Sequence, residues 1–196
     1  AESANPNPGG RVFRYEWDGH WTDCGKLGES PAVACLTVFK GRLYASSLYA
    51  PAGTFRYEGG KEWADCGTPH GLRVEAMAVY NGHLFGTGYD KGQVYKYLGG
   101  REWAIVGTLP ETTQTYGFAI HEGRLYVSTW PGATVFRYEE DHRWTPVGKP
   151  GAEKESMALA VYNGKMYVGT LPLAEVHRYE GDRVWTRVGQ LDTTPD

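Results

Sequence analysis

Residues 55–63 read FRYEGGKEW, and near-copies stand at 13–21 (FRYEWDGHW), 95–103 (YKYLGGREW), 136–144 (FRYEEDHRW) and 177–185 (HRYEGDRVW). The tryptophans that close the phrase, Trp21, Trp63, Trp103, Trp144 and Trp185, are spaced by 42, 40, 41 and 41 residues. Tyr15, Tyr57, Tyr97, Tyr138 and Tyr179 keep the same steps, and a glycine follows each tryptophan by four residues: Gly25, Gly67, Gly107, Gly148 and Gly189. A turn dipeptide recurs every 41 residues as Lys40-Gly41, Asn81-Gly82, Glu122-Gly123 and Asn163-Gly164. A fixed period near 40 residues means a repeat architecture.

Each period divides into four short strands. Strand A is CLTVF, AMAVY, GFAIH and ALAVY; the X-Gly turn suits a two-residue hairpin with positive φ. Strand B follows as RLYASS, HLFGTG, RLYVST and KMYVGT, then a loop with Pro or Gly, then the RY phrase as strand C and the tryptophan strand as D. Alternate positions of strand A hold large residues (Leu36, Met77, Phe118, Leu159, then Val38, Val79, Ile120, Val161) against small ones (Cys35, Ala76, Gly117, Ala158). Neither set is charged, so this strand reads as buried on both faces, with large-against-small packing between sheets. Strand C puts aromatic residues on one side and Arg14, Arg56, Lys96, Arg137 and Arg178 on the other. Apolar inner strands and polar outer ones make sheets that run radially outward. Four-stranded sheets repeated at this spacing predict an all-β fold, a β-propeller of four-stranded antiparallel blades.

The stretch AVYNGKMYVGT…VHRYEGDRVWTRVGQL (160–191) resembles a kelch repeat, with its turn glycine, aromatic second strand, third-strand tyrosine and fourth-strand tryptophan. The resemblance runs over 11–191. It departs from kelch where the glycine pair ending the second strand is replaced by Ser46-Ser47, Thr87-Gly88, Ser128-Thr129 and Gly169-Thr170. The resemblance implies a kelch-like propeller and no function by itself. The expected organisation is a flexible tail (1–10), one propeller domain (11–191) and a tail (192–196). The repeats fall at 11–29 (an outer half blade), 30–69, 70–110, 111–150 and 151–191. Five outer hairpins against four inner ones imply an incomplete ring of about five blades. Its open edges would invite a homodimer.

The chain has 196 residues, a net charge of −3 and no basic block, so nucleic acid is not an expected partner. No apolar run is long enough for a membrane span. The small-residue start AESANPNPGG fits a mature N-terminus, which leans towards a secreted or periplasmic protein. Cys24, Cys35 and Cys66 read as small buried residues.

Catalytic signatures are sparse. No HExxH or paired CxxC occurs, so no metal or cofactor is expected. The histidines are scattered over strands and turns, with only His70 between blades. Glu16, Glu58, Glu139 and Glu180 recur after the tyrosine and read as architectural partners of the neighbouring arginines. The non-repeating carboxylates Glu75, Asp90 and Glu155 are better candidates, and Glu75 starts strand A where its equivalents are Ala34, Tyr116 and Met157. The loops joining D to A and B to C share one face of a propeller. There they carry the non-repeating Tyr49, His70, Arg73, Glu75, Tyr89, Asp90, Lys91, Tyr116 and Trp130. Exposed Trp and Tyr suit stacking on a sugar or anchoring a protein. The expected function is therefore a non-catalytic recognition or scaffold module for carbohydrate or a protein partner. The alternatives are a propeller enzyme acting on glycans, centred near Glu75, and a structural or engineered repeat fragment that self-assembles.

Overall fold

Eighteen β-strands in five antiparallel sheets make up the described residues, 9–191, of this computed structural model. The first sheet pairs β1 (Arg11–Tyr15) with β2 (Trp21–Lys26). Blade one follows as β3 (Val33–Phe39), β4 (Arg42–Ser47), β5 (Thr54–Gly59) and β6 (Glu62–Asp65), and blade two as β7 (Val74–Tyr80), β8 (His83–Gly88), β9 (Gln93–Gly99) and β10 (Glu102–Thr108). Blade three comprises β11 (Gln114–His121), β12 (Arg124–Trp130), β13 (Phe136–Tyr138) and β14 (Trp144–Pro146). Blade four comprises β15 (Glu155–Tyr162), β16 (Lys165–Leu171), β17 (Glu175–Gly181) and β18 (Val184–Gln190). Each blade is an up-and-down meander, and its inner strand packs on the next: β3 on β7, β7 on β11, β11 on β15. The fold is a β-propeller, as the repeat predicts.

The turn dipeptides do what their residues allow. Lys40, Asn81, Glu122 and Asn163 lie at φ 47–48°, each followed by a glycine at φ 71–73°. Two successive positive φ values give the mirror-image turn that matches strand twist. At the outer edge the recurring tryptophan bolts one blade to the blade before it. The indole N–H of Trp63 donates to the Cys24 carbonyl at 2.7 Å, Trp103 to Cys66 at 3.1 Å, Trp144 to Val106 at 3.0 Å and Trp185 to Val147 at 2.9 Å. Each indole also rests on the tyrosine of its own hairpin, with centroids 4.9–5.1 Å apart. The accepting carbonyl lies one residue before the recurring glycine. At Gly67 a Cβ would come 2.4 Å from the Arg101 carbonyl oxygen of the next blade, and φ is +68°. Only glycine lets the two backbones approach so closely.

Between blades the large residues of one inner strand fill the space beside the small residues of its neighbour. Val74, Met77 and Leu84 of blade two pack with Phe39, Tyr44 and Cys35 of blade one. Tyr80, Phe85 and Val94 of blade two pack with Leu125, Val127 and Phe136 of blade three. The inner strand of blade two has no exposed residue, whereas the inner strands at the two ends of the arc have exposed faces. Leu36 is 49% and Val38 64% exposed, and Ala158 and Ala160 are exposed too. No inner hairpin packs on those faces among the described residues. Trp21, the first of the series, is 63% exposed, because among the described residues no outer strand of a preceding blade offers it a carbonyl.

Of the two expected tails, residues 1–8 and 192–196 lie outside the described residues. Gly10 is tied down: its N–H donates to the Pro31 carbonyl (2.9 Å) and its carbonyl accepts from Leu27 (2.8 Å). Cys24 and Cys66 are buried and Cys35 half-buried, all as free thiols.

Candidate active site

Each inner strand is irregular at the end where the D–A and B–C loops gather. The pairing register shifts between Val74 and Met77, between Thr115 and Phe118 and between Ser156 and Leu159. The partner strand patches these bulges with a hydroxyl: Thr87 Oγ1 accepts the Ala76 N–H at 2.8 Å, and Ser128 Oγ accepts the Gly117 N–H at 2.9 Å. A bulge turns side chains out of the sheet alternation. Glu75 and Tyr116 sit inside these bulges.

Hydroxyl latches hold successive blades together beneath the mouth. Thr115 Oγ1 accepts the Gly88 N–H of blade two (2.7 Å) and donates to the Gln93 carbonyl (2.9 Å). Ser156 Oγ accepts the Thr129 N–H of blade three at 2.8 Å. The side chains above therefore stand on a fixed frame.

A connected cluster lies on that frame. The Arg73 guanidinium covers the Tyr89 ring at 3.4 Å, donates to the Leu48 carbonyl at 2.9 Å and stands 3.9 Å from the Asp90 carboxylate. Tyr89 meets Tyr116 edge to face, with centroids 5.9 Å apart. The buried Tyr116 hydroxyl donates to Glu155 Oε1 at 2.7 Å and also contacts the Gln114 side-chain amide. Glu75 Oε2 is buried with no hydrogen-bond partner among the described residues. Burial pushes the Glu75 carboxyl above the ordinary carboxylate range; the Asp90 charge adds to that shift and Arg73 opposes it. Burial likewise raises the Tyr116 phenol, and its hydrogen bond to Glu155 raises it further. A shallow cavity of about 280 Å³ opens beside the cluster, lined by Tyr49, Ala50, Arg73 and Asp90 among others.

Six of the residues expected on this face thus come together: Tyr49, Arg73, Glu75, Tyr89, Asp90 and Tyr116. Tyr116 is a buried link rather than a displayed side chain, because the Tyr89 ring covers it. Two stand apart. His70 is exposed on a short 3-10 turn, Pro69–Gly71. Trp130 pairs through its backbone with Gln114 and joins no aromatic pair of the mouth among the described residues. Gln114 went unnoticed in the sequence reading. It occupies the position of Ala32, Arg73 and Glu155, a second ring site whose residue type changes in every blade. That variation is the signal that would have found it.

A half-buried carboxyl with a raised proton affinity, a fixed guanidinium and a carboxylate-held phenol form a set suited to general acid–base chemistry. No family model matches the chain, and no curated protein matches it by sequence. Solved structures do resemble it. A catalytically inactive variant of virginiamycin B lyase from Staphylococcus aureus, solved with quinupristin, matches at 11% identity and a TM-score of 0.79, over 92% of this chain and 63% of the lyase. A streptogramin B lyase matches at 13% identity and a TM-score of 0.80, over 96% of this chain and 64% of the other. A candidate gluconolactonase matches at 16% identity and a TM-score of 0.64, over 91% and 69%. The chain therefore spans somewhat under two thirds of the lyases it resembles. These likenesses bear out the propeller, while the kelch assignment rests on the sequence resemblance alone. They also correct the expectation of a non-catalytic recognition module. Two of the matched propellers are lyases and the third a candidate gluconolactonase, which favours the enzyme alternative over the non-catalytic module.

Proposed function

We propose that this chain carries the catalytic face of a propeller enzyme that works by general acid–base catalysis at the axial mouth. The observation that carries the reading is Glu75: a half-buried carboxyl with one oxygen unsatisfied, between Arg73 and the Tyr116 bulge. A buried polar atom without a partner in a native fold asks for one, and a substrate proton or hydroxyl would supply it.

Glu75 acts as the acid–base group, since burial makes its carboxyl hold a proton more tightly than an exposed one while the group can still give it back. Arg73, held over the Tyr89 ring, offers fixed donors to a developing oxyanion. Glu155 and Gln114 hold Tyr116 in place beneath Tyr89, so the phenol fixes the floor of the site and the position of Tyr89 rather than meeting substrate. Lyase and lactonase chemistry both require that one proton be taken and another given. The same set would serve a glycan substrate, and the resemblance to a lyase and a candidate gluconolactonase supports bond cleavage in an oxygen-rich ring compound.

Turnover should be measured on quinupristin, gluconolactone and chromogenic glycosides, with Glu75→Gln alongside. Activity on at least one substrate, reduced about 100-fold or more in Glu75→Gln with the melting temperature unchanged, is the expected result. Equal turnover in the variant, or none by the native chain on any of them, would overturn the reading.

A further inference from the structure

On the face opposite the axial mouth, where the A–B and C–D turns gather, a groove separates blades one and two. We propose that this groove binds an organic phosphate or sulfate monoester, independently of the chemistry at the mouth.

A break in the repeat shows why. In the first hairpin and in blades one, three and four, the strand C arginine is paired with a glutamate two residues on. Arg14 meets Glu16 at 2.6 Å, Arg56 meets Glu58 at 2.6 Å, Arg137 meets Glu139 at 2.6 Å and Arg178 meets Glu180 at 2.8 Å. Blade two reads Lys96-Tyr97-Leu98 at the same place. The cation is kept and the carboxylate is gone, and Lys96 has no ion-pair partner among the described residues. Lys96 lies on the wall of the groove with Arg56, His83 and Lys40. Lys40 is also peculiar to this groove, for its counterparts at the same turn are Asn81, Glu122 and Asn163.

None of the ten residues lining the groove is acidic. Glu58, the partner of the lining residue Arg56, also stands 3.6 Å from Arg42. At the next two junctions the corresponding positions hold Glu139, Glu140 and Asp141, then Glu122, Glu180 and Asp182. The charge is thus a property of one junction rather than of the architecture. Cations lining a concave wall raise the local concentration of an anion. Lysine and arginine donors together suit a tetrahedral oxyanion.

The organic part of the ligand follows from the rest of the wall. Tyr44 and Tyr97 line it, and Leu98 is 58% exposed at its edge. Glycines 99 and 100 leave the turn beyond Leu98 without side chains. The cavity is about 370 Å³, within the range of small-molecule sites. An anionic head beside an apolar ring fits it better than a bare ion does.

NMR titrations of the full chain with inorganic phosphate, inorganic sulfate, p-nitrophenyl phosphate and p-nitrophenyl sulfate, at constant ionic strength with chloride as control, would test this. The expected result is saturable shifts around Lys96 and Tyr97, with an aryl ester binding at least about fivefold more tightly than either inorganic ion. The preferred ester separates phosphate from sulfate. Leu98→Glu restores the pairing of the other blades and should weaken binding about tenfold or more, Lys96→Gln should do the same, and Leu98→Gln should keep most of it. Shifts that chloride reproduces, equal binding by Leu98→Glu and the native chain, or an aryl ester no better than inorganic phosphate would each overturn the proposal. Folding of each variant is checked by its unchanged spectrum away from the groove.

Discussion

At the outer hairpins four indoles, those of Trp63, Trp103, Trp144 and Trp185, make one and the same bond to the preceding blade. At the axial mouth the corresponding positions of the four blades hold Ala34, Glu75, Tyr116 and Met157. The two regions lie at opposite edges of the same sheets and answer to different demands. The hairpins must present the same shape to a neighbour that is the same shape each time. The mouth faces no repeat, so its residues are free to differ, and the bulges under Glu75 and Tyr116 aim them inward. Uniform chemistry marks where the propeller holds itself together; unequal chemistry marks where it can meet something else.

The sharpest way to break this contrast is to compare two members of the uniform series. Trp144 bonds to Val106 and packs against the junction of blades two and three, whereas Trp21 is mostly exposed and bonds to no preceding blade among the described residues. Trp144→Ala should cost about 3 kcal/mol in urea denaturation, and Trp21→Ala less than about 1 kcal/mol. Equal losses would mean that the series does not act through the junction.

A second comparison sits at the mouth. Burial raises the Glu75 carboxyl above its ordinary value of 4.5, so the folded chain holds that proton more tightly than the unfolded chain does. Its contribution to stability is fully present below the unfolded value and is lost as pH rises through the folded one. Glu75→Gln carries no such group. Denaturation midpoints measured from pH 4 upward should show the variant gaining on the native chain as pH rises, then a constant difference once Glu75 is ionised. A difference that does not change with pH would place Glu75 in ordinary solvent.

The smallest effect belongs to the exposed pairs of the repeat. Glu58 lies 2.6 Å from Arg56, with both side chains about a third exposed. Glu58→Gln should change stability by less than about 0.5 kcal/mol. Salt should diminish what difference there is. A large loss would mean that these ion pairs, and not the indoles, join the blades.

Much of this was legible in the residues. The steps of 40 to 42, the X-Gly turns and the large-small alternation of strand A led to the propeller, because each blade repeats one solution to one packing problem. The glutamates after the tyrosine were legible as partners of Arg14 and Arg56 by the same logic. The mouth was legible only as a set of exceptions. Glu75, Tyr89 and Tyr116 stood out as non-repeating, but Gln114 did not, and His70 and Trp130 stood out without joining the cluster. The expectation of recognition without catalysis failed because aromatic loops look alike whether they display themselves to a ligand or, like Tyr89, cover a buried phenol.

The sequence by itself therefore determined the blade: its strand order, its turns and the faces that must be buried, since these follow from local periodicity and the size of side chains. Only the tertiary structure decided that Arg73 lies over the Tyr89 ring, that Tyr116 reaches Glu155 from another blade and that a Glu75 oxygen is left buried and unpaired among the described residues. Arg73 and Tyr89 stand 16 positions apart in two loops of blade two, and Tyr116 and Glu155 stand 39 apart on the inner strands of adjacent blades. The first depends on how two loops of one blade fold over each other and the second on how far one blade turns relative to the next, neither of which the repeated residues encode.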